Sequence, residues 1–150
     1  MPRLCIETPV GLLTLTEDDG AITRITWEDG PRDETPLLRE AEAQLAAYFR
    51  RDLKVFDLPL RIAGSDAQRR ACAAMLAIPW GETRTYGQMA RDLGISPQAA
   101  GQLCGGNPIP VVVPCHRVLG ANSLGGFSGG TGVETKVALL KHEGAASLLI

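Results

Sequence analysis

The chain has 150 residues, 45% of them hydrophobic and 21% charged, with a formal net charge of −2 at pH 7. That size and balance suit one globular domain, or two small ones sharing a core, and exclude a low-complexity, collagen-like or disordered chain. No apolar run approaches membrane-spanning length and the first residues carry no signal-peptide core, so a cytoplasmic protein with no membrane partner is expected.

The charge is unevenly spread. Residues 1–60 carry a net −5, residues 61–117 a net +3, and the remainder balances. The middle third is therefore where a polyanion would dock, weakly and with salt sensitivity. Four cysteines, Cys5, Cys72, Cys104 and Cys115, are scattered without a C-x-x-C pair. That spacing fits neither a metal site nor a disulfide framework, and points to reduced thiols.

In chain order, residues 4–27 alternate apolar and polar side chains, with breaks at Pro9-Val-Gly11 and Asp18-Asp-Gly20. This predicts three antiparallel strands joined by tight turns. Residues 36–50 place Leu37, Leu38, Ala41, Leu45, Ala46 and Phe49 at helical spacing, an amphipathic helix to cover one sheet face. No catalytic constellation is visible in this segment, which reads as scaffold.

Residues 57–64 form a Pro- and Gly-containing connector, expected as a domain boundary between 1–60 and 65–150. Ser65-Asp-Ala-Gln68 is a capping-box pattern opening a helix through Ala77. Cys72 on that helix reads as core. Two short helices follow, over 85–94 and 97–105, with Ser96 and Pro97 as cap and first-turn residue of the second. A helix-turn-helix has this layout, as do many other helix pairs. Residues 120–132 make a Gly- and Ser-rich loop around Phe127, able to shape itself to a planar ligand. Residues 135–143 predict a last helix with Val137, Leu139 and Leu140 inward and Gly144 at its end.

The remaining stretch, Asn107-Pro-Ile-Pro-Val-Val-Val-Pro-Cys-His-Arg-Val-Leu119, brackets a Val run with prolines and delivers a thiol beside an imidazole. The prolines predict extended, stiff backbone. On the residues alone, Cys115 and His116 could be a small buried hydrophobe and a satisfied core histidine. A nucleophile is the other reading. An unperturbed thiol, with a pKa of about 8.5, then needs a base, and that base needs an orienting partner.

Pro-Cys-His-Arg-Val, 114–118, resembles the active-site signature of the methylated-DNA–protein-cysteine methyltransferases, the suicide repair proteins that remove alkyl groups from guanine O6. Asn107-Pro108, Gly126-Phe-Ser-Gly-Gly130 and His142-Glu143-Gly144 extend the likeness from about Ser65 to Ala145. The resemblance implies an α/β chain. A small N-terminal antiparallel sheet-plus-helix domain, ribonuclease H-like, precedes a mainly helical winged helix-turn-helix domain. It implies irreversible alkyl transfer from guanine O6 in duplex DNA, with thymine O4 as a second target, to Cys115. The protein would act once, as a monomer, without metal or cofactor.

By the same resemblance His116 polarises a water against Cys115, and Glu143 holds the other imidazole nitrogen. Tyr86 donates at the minor-groove edge of the flipped base and Ser128 reaches toward O6. The Cys115 and Val118 carbonyls accept from the exocyclic amine, Asn107 fixes the turn before the active-site strand, and Lys136 closes the pocket. His142 is structural. The second helix enters the minor groove with Ala99, Ala100 and Gly101 close to DNA. Arg84 and Arg117, from the basic middle third, are further candidate DNA contacts.

One position departs. The family fills the space left by the flipped base with an arginine, and the matching residue here is Gln98, shorter and uncharged. Three other functions stay open: a non-catalytic alkyl-lesion binder, whose relatives carry Trp in place of Cys115; a helix-turn-helix regulator; and a Cys-His-Glu hydrolase. Labelled O6-benzylguanine separates them by one equivalent bound, none, none, or catalytic release.

Overall fold

The computed structural model of the chain describes residues 1–127 and 129–145. Strands β1 (Arg3–Thr8), β2 (Gly11–Asp18) and β3 (Ala21–Thr26) form an antiparallel sheet in the order β1-β2-β3. The β2–β3 connection turns through Asp19 and Gly20, both at positive φ, as a two-residue hairpin of this hand requires. The central strand is buried on both faces: Leu13, Thr14 and Leu15 are fully enclosed, and Thr14 donates to the Glu28 carbonyl at 2.7 Å.

Helix α1 (Pro36–Phe49) starts where Thr35 caps the Leu38 amide and Pro36 supplies the first-turn φ. It buries Leu38, Ala41, Leu45 and Tyr48. Ala46, expected inward, is exposed, and Tyr48 takes the inward position instead. The free edge of β3 is covered by later chain. Ile22 exchanges hydrogen bonds with Pro59 and Arg61, and the Ile25 amide donates to the Pro108 carbonyl at 3.0 Å. The last contact fixes the sheet to the segment that leads into Cys115.

Helix α2 (Asp66–Leu76) is capped by Ser65, but the expected box forms only by half. Gln68 turns away to donate to the Leu103 carbonyl at 2.8 Å, tying α2 to the later helix that carries Leu103. The full capping box lies at Thr85 and Gln88, opening α3 (Tyr86–Leu93). Gly94, at φ 70°, ends α3, and α4 (Pro97–Gly105) follows behind Ser96 and Pro97.

The Val run corrects the expectation of a strand. Val111 has φ 72°, rare for a β-branched residue, and the Val113 amide folds back to Ile109 at 2.9 Å. Cys115–Arg117 then forms one turn of 3-10 helix, and only Val118–Leu119 (β5) is strand, paired in parallel with β4 (Arg84–Thr85). Prolines at 108, 110 and 114 deny the run the amide donors of a continuous ladder. Because Thr85 ends β4 and caps α3, the pairing sets Tyr86 beside the chain leaving Cys115. Helix α5 (Val133–His142) closes the fold, starting two residues before the expected Thr135. One cluster of buried side chains runs from Leu15 and Ile22 through Met75 to Val113 and Leu139.

Candidate active site

Cys115 is held by a series of short turns. Pro114, at φ −83° and ψ 67°, makes a γ-turn closed by the Cys115 amide on the Val113 carbonyl at 2.9 Å. Asn107 clamps the approach from both sides: its amide nitrogen donates to the Val113 carbonyl at 2.8 Å and its oxygen accepts from the Ile109 amide at 3.0 Å. Cys115 is 9% exposed. Burial pushes its pKa up, against the opposing pull of the Asn107 amide and the Lys136 cation. Ionisation therefore requires a base.

His116 supplies a lone pair in the right form. Its Nε2 lies 2.8 Å from Glu143 Oε2. Burial would raise the Glu143 pKa, but hydrogen bonds from His116 and Arg117 and their charges hold it at about 2. Glu143 is therefore ionised and can only accept. His116 Nε2 must then carry the proton. Burial, helped by Arg117 and Lys136, lowers the His116 pKa against the pull of Glu143, so the ring is neutral and Nδ1 bears the free pair. Nδ1 is buried without a hydrogen-bond partner among the described residues. A buried acceptor left unpaired is costly, and such groups mark working sites.

Glu143 gathers three further donors. Arg117 forks onto it, Nε to Oε1 at 2.8 Å and Nη2 to Oε2 at 2.9 Å, and Tyr48 Oη donates to Oε2 at 2.5 Å. Burial, then the Glu143 charge, raises the Tyr48 pKa, so the phenol stays a donor.

Next to Cys115 opens a cavity of about 440 Å³ lined by Tyr86, Gly101, Cys104, Gly126 and Phe127. Lys136 is fully buried behind it, donating to the carbonyls of Val118 at 2.6 Å and Gly126 at 3.1 Å, with Tyr86 Oη at 3.5 Å. Burial lowers the Lys136 pKa to about 8, while the Cys115 and Cys104 thiolates would raise it. Burial, then Cys104 and Cys115, raises Tyr86 to about 12, keeping its phenol protonated. Gly125 is needed here: at φ 74°, a Cβ would fall 2.7 Å from Tyr86 Cε2. The arrangement sets a nucleophile and a phenol donor on one space, with a neutral base at the residue next to the nucleophile, buried together with its carboxylate.

Residues 66–145 match the family model described as 6-O-methylguanine DNA methyltransferase, DNA binding domain. The chain is 39% identical to the methylated-DNA–protein-cysteine methyltransferase of Mycolicibacterium paratuberculosis, over 97% of this chain and 95% of that one. It belongs to the methylated-DNA–protein-cysteine methyltransferase family. The constitutive methylated-DNA–protein-cysteine methyltransferase of Bacillus subtilis is 39% identical, with 91% and 92% covered. The crystal structure of the Mycobacterium tuberculosis OGT in complex with DNA superposes with a TM-score of 0.86 at 38% identity, covering 96% of this chain and 93% of that one.

Against the expectations drawn from this family, Cys115, His116, Glu143, Tyr86, Asn107 and Lys136 converge on one region. Val118 does too, but its carbonyl accepts from Lys136, leaving one lone pair for a base. Ser128 lies outside the described residues. Arg117 does not face DNA: it is 6% exposed, and its guanidinium is consumed by Glu143 and the Ile78 carbonyl. Ala100 is fully buried and packs inward, whereas Gln98 is exposed and Ala99 and Gly101 are half-buried on α4. Arg84 is exposed and paired with Asp92 at 2.6 Å. His142 is structural, its Nε2 2.7 Å from the Tyr48 carbonyl among the rings of Tyr48, Phe49 and Trp80.

The first segment contributes more than scaffold. Tyr48 reaches Glu143, and Trp27 packs edge-on to Phe127 with centroids 5.8 Å apart. Trp27 also fills the space where a Cβ of Gly129 would stand, and Thr135 with Trp27 does so at Gly130. The available signal for Tyr48 was its place on the helix, two turns beyond Ala41 and one beyond Leu45.

Proposed function

We propose that the chain repairs DNA by moving an alkyl group from guanine O6 in duplex DNA onto Cys115, once per molecule. The observation that carries the reading is a buried thiol next in sequence to a neutral imidazole, whose Nε2 is held by an ionised carboxylate and whose Nδ1 has no partner among the described residues, with the thiol lining a cavity that also receives a phenol. In this reading Nδ1 takes the Cys115 proton through a water. The sulfur then forms a bond to the alkyl carbon as the C–O6 bond breaks, and the electron pair goes to the guanine. Tyr86 and the relayed proton neutralise the base. The thioether product has no route back, since a neutral imidazole cannot cleave a C–S bond.

Residues 1–60 then serve as the ribonuclease H-like scaffold and residues 65–150 as the winged helix-turn-helix half, a monomer acting in the cytoplasm. Four free cysteines without a disulfide agree with a reducing compartment. Docking of α4 in the minor groove is supported by the exposed Gln98 and the open face at Gly101, where an added Cβ meets nothing within 4 Å. Flipping the damaged base costs a few kcal/mol, which the cavity beside Cys115 must return.

Intact mass spectrometry after incubation with an O6-methylguanine duplex tests the reading. The expected result is one methyl per chain, mapped to Cys115, with a plateau at stoichiometry and none in Cys115→Ser. Tight binding without transfer would establish a lesion binder instead, and continued release would establish a hydrolase. An O4-methylthymine duplex in the same assay decides the second target.

A further inference from the structure

Cys115 stands where two cavities meet. The first is the space beside Tyr86 described above. The second, of about 330 Å³, is lined by Arg24, Thr26, Trp27, Pro110 and Phe127 and shares Cys115 with the first. Its walls come from β3 and from the proline segment, which the Ile25–Pro108 hydrogen bond holds together.

In-line displacement explains why one sulfur needs two spaces. Sulfur, carbon and departing O6 must lie along one axis, and whatever else the carbon carries projects roughly perpendicular to it. With the base beside Tyr86, a substituent larger than methyl must leave sideways from the sulfur. The second cavity is the other space that Cys115 lines, and in this reading it receives that substituent. Its apolar walls are Trp27, Pro110 and Phe127, the Asn107 amide stands beside the sulfur, and Arg24 is its charged side chain among the described residues. Arg3, Arg32 and Arg61 on the same half of the chain are each tied to a carboxylate or a carbonyl. Among the described residues Arg24 has no such partner, so its guanidinium is free for a ligand.

We propose that Arg24 selects O6 substituents ending in a carboxylate, the carboxyalkyl class, by a charge-assisted hydrogen bond across the second cavity. This rests on the alkyl-transfer reading. The balance is that of any such transfer: the S–C bond forms, the C–O6 bond breaks, and the thiol proton passes to the guanine. The carboxylate stays intact on the thioether.

The test uses the full chain in single-turnover assays on three duplexes, with O6-methyl-, O6-carboxymethyl- and O6-carbamoylmethylguanine. The last is a neutral analogue of nearly the same shape. The chain should prefer carboxymethyl over carbamoylmethyl by about tenfold at low salt, narrowing as salt rises. Arg24→Lys should keep the preference, Arg24→Gln should level it, and Arg24→Glu should reverse it. Equal rates for acid and amide in the unaltered chain would overturn the proposal. So would an Arg24→Gln chain slowed alike on all three duplexes, since that marks a contact to the DNA backbone. Failure to accept even methyl would overturn the alkyl-transfer reading itself.

Discussion

Tyr48 Oη and Glu143 Oε2 lie 2.5 Å apart, joined across 95 residues of sequence in a fully buried contact. Through it the first helix of the chain bears on the carboxylate that orients His116. Removing the hydroxyl deletes a hydrogen bond to a charged group, worth roughly 1.5–3 kcal/mol. Tyr48→Phe should lower the urea midpoint accordingly and slow methyl transfer severalfold, while His142→Gln, at a side chain that meets the Tyr48 carbonyl and the Tyr48, Phe49 and Trp80 rings, should affect stability more than rate. An unchanged midpoint in Tyr48→Phe would show that the contact carries no weight.

Acid should destabilise the fold in two stages. The folded His116 pKa is lowered from 6.5, so below about 6.5 the unfolded chain takes up a proton that the folded chain refuses. The folded Glu143 pKa lies at about 2 against an ordinary 4.5, so its contribution is complete above 4.5 and drains away as pH falls toward 2. Urea unfolding at a series of pH values from 7.5 to about 3 should show stability falling from the His116 window into the Glu143 window. In Glu143→Gln the lower stage should vanish. That chain should also be weaker at pH 7 by about 3–5 kcal/mol, because Arg117 is left buried and unpaired.

The loop around Phe127 depends on the absence of side chains over Trp27. A Cβ on Gly129 would stand 2.3 Å from Trp27 Cζ3, too close for either group to keep its place. Gly129→Ala should destabilise by about 1–3 kcal/mol and slow transfer, since the same loop walls the cavity at Gly126. Adding Trp27→Leu to Gly129→Ala should recover part of the loss. A double substitution no better than the single would disprove steric crowding as the cause.

Gln98 is exposed near the start of α4, where the sequence expects the strand-invading residue. Gln98→Arg should tighten binding to undamaged duplex and steepen the dependence of log K on log salt by about one unit. Fluorescence anisotropy at several salt concentrations reads both. If flipping, followed by 2-aminopurine, and the salt slope both stay put, Gln98 does not face the groove.

Much of the fold was legible because its signals are local. Alternation in residues 4–27 defines three strands, and Ser65 and Ser96 each cap the helix that follows. The Pro-Cys-His-Arg-Val stretch and the spacing to Glu143 marked the site by resemblance. Local signals also misled. The Val run looked like a strand until Val111 turned it back, and Gln68 completed a capping-box pattern while its side chain was needed elsewhere. Arg117 looked like a DNA contact because charge in sequence says nothing about burial.

By itself the sequence determined the three strands of the first sheet and the five helices, where most of them begin, and that a thiol and an imidazole are adjacent along the chain. Those properties follow from backbone geometry and neighbours within a few residues. Only the tertiary structure decided that Tyr48 serves Glu143, that Arg117 is spent inside, and that Trp27 and Arg24 line a cavity that Cys115 also lines. A partner that is distant along the chain leaves no periodicity behind, so packing alone selects it.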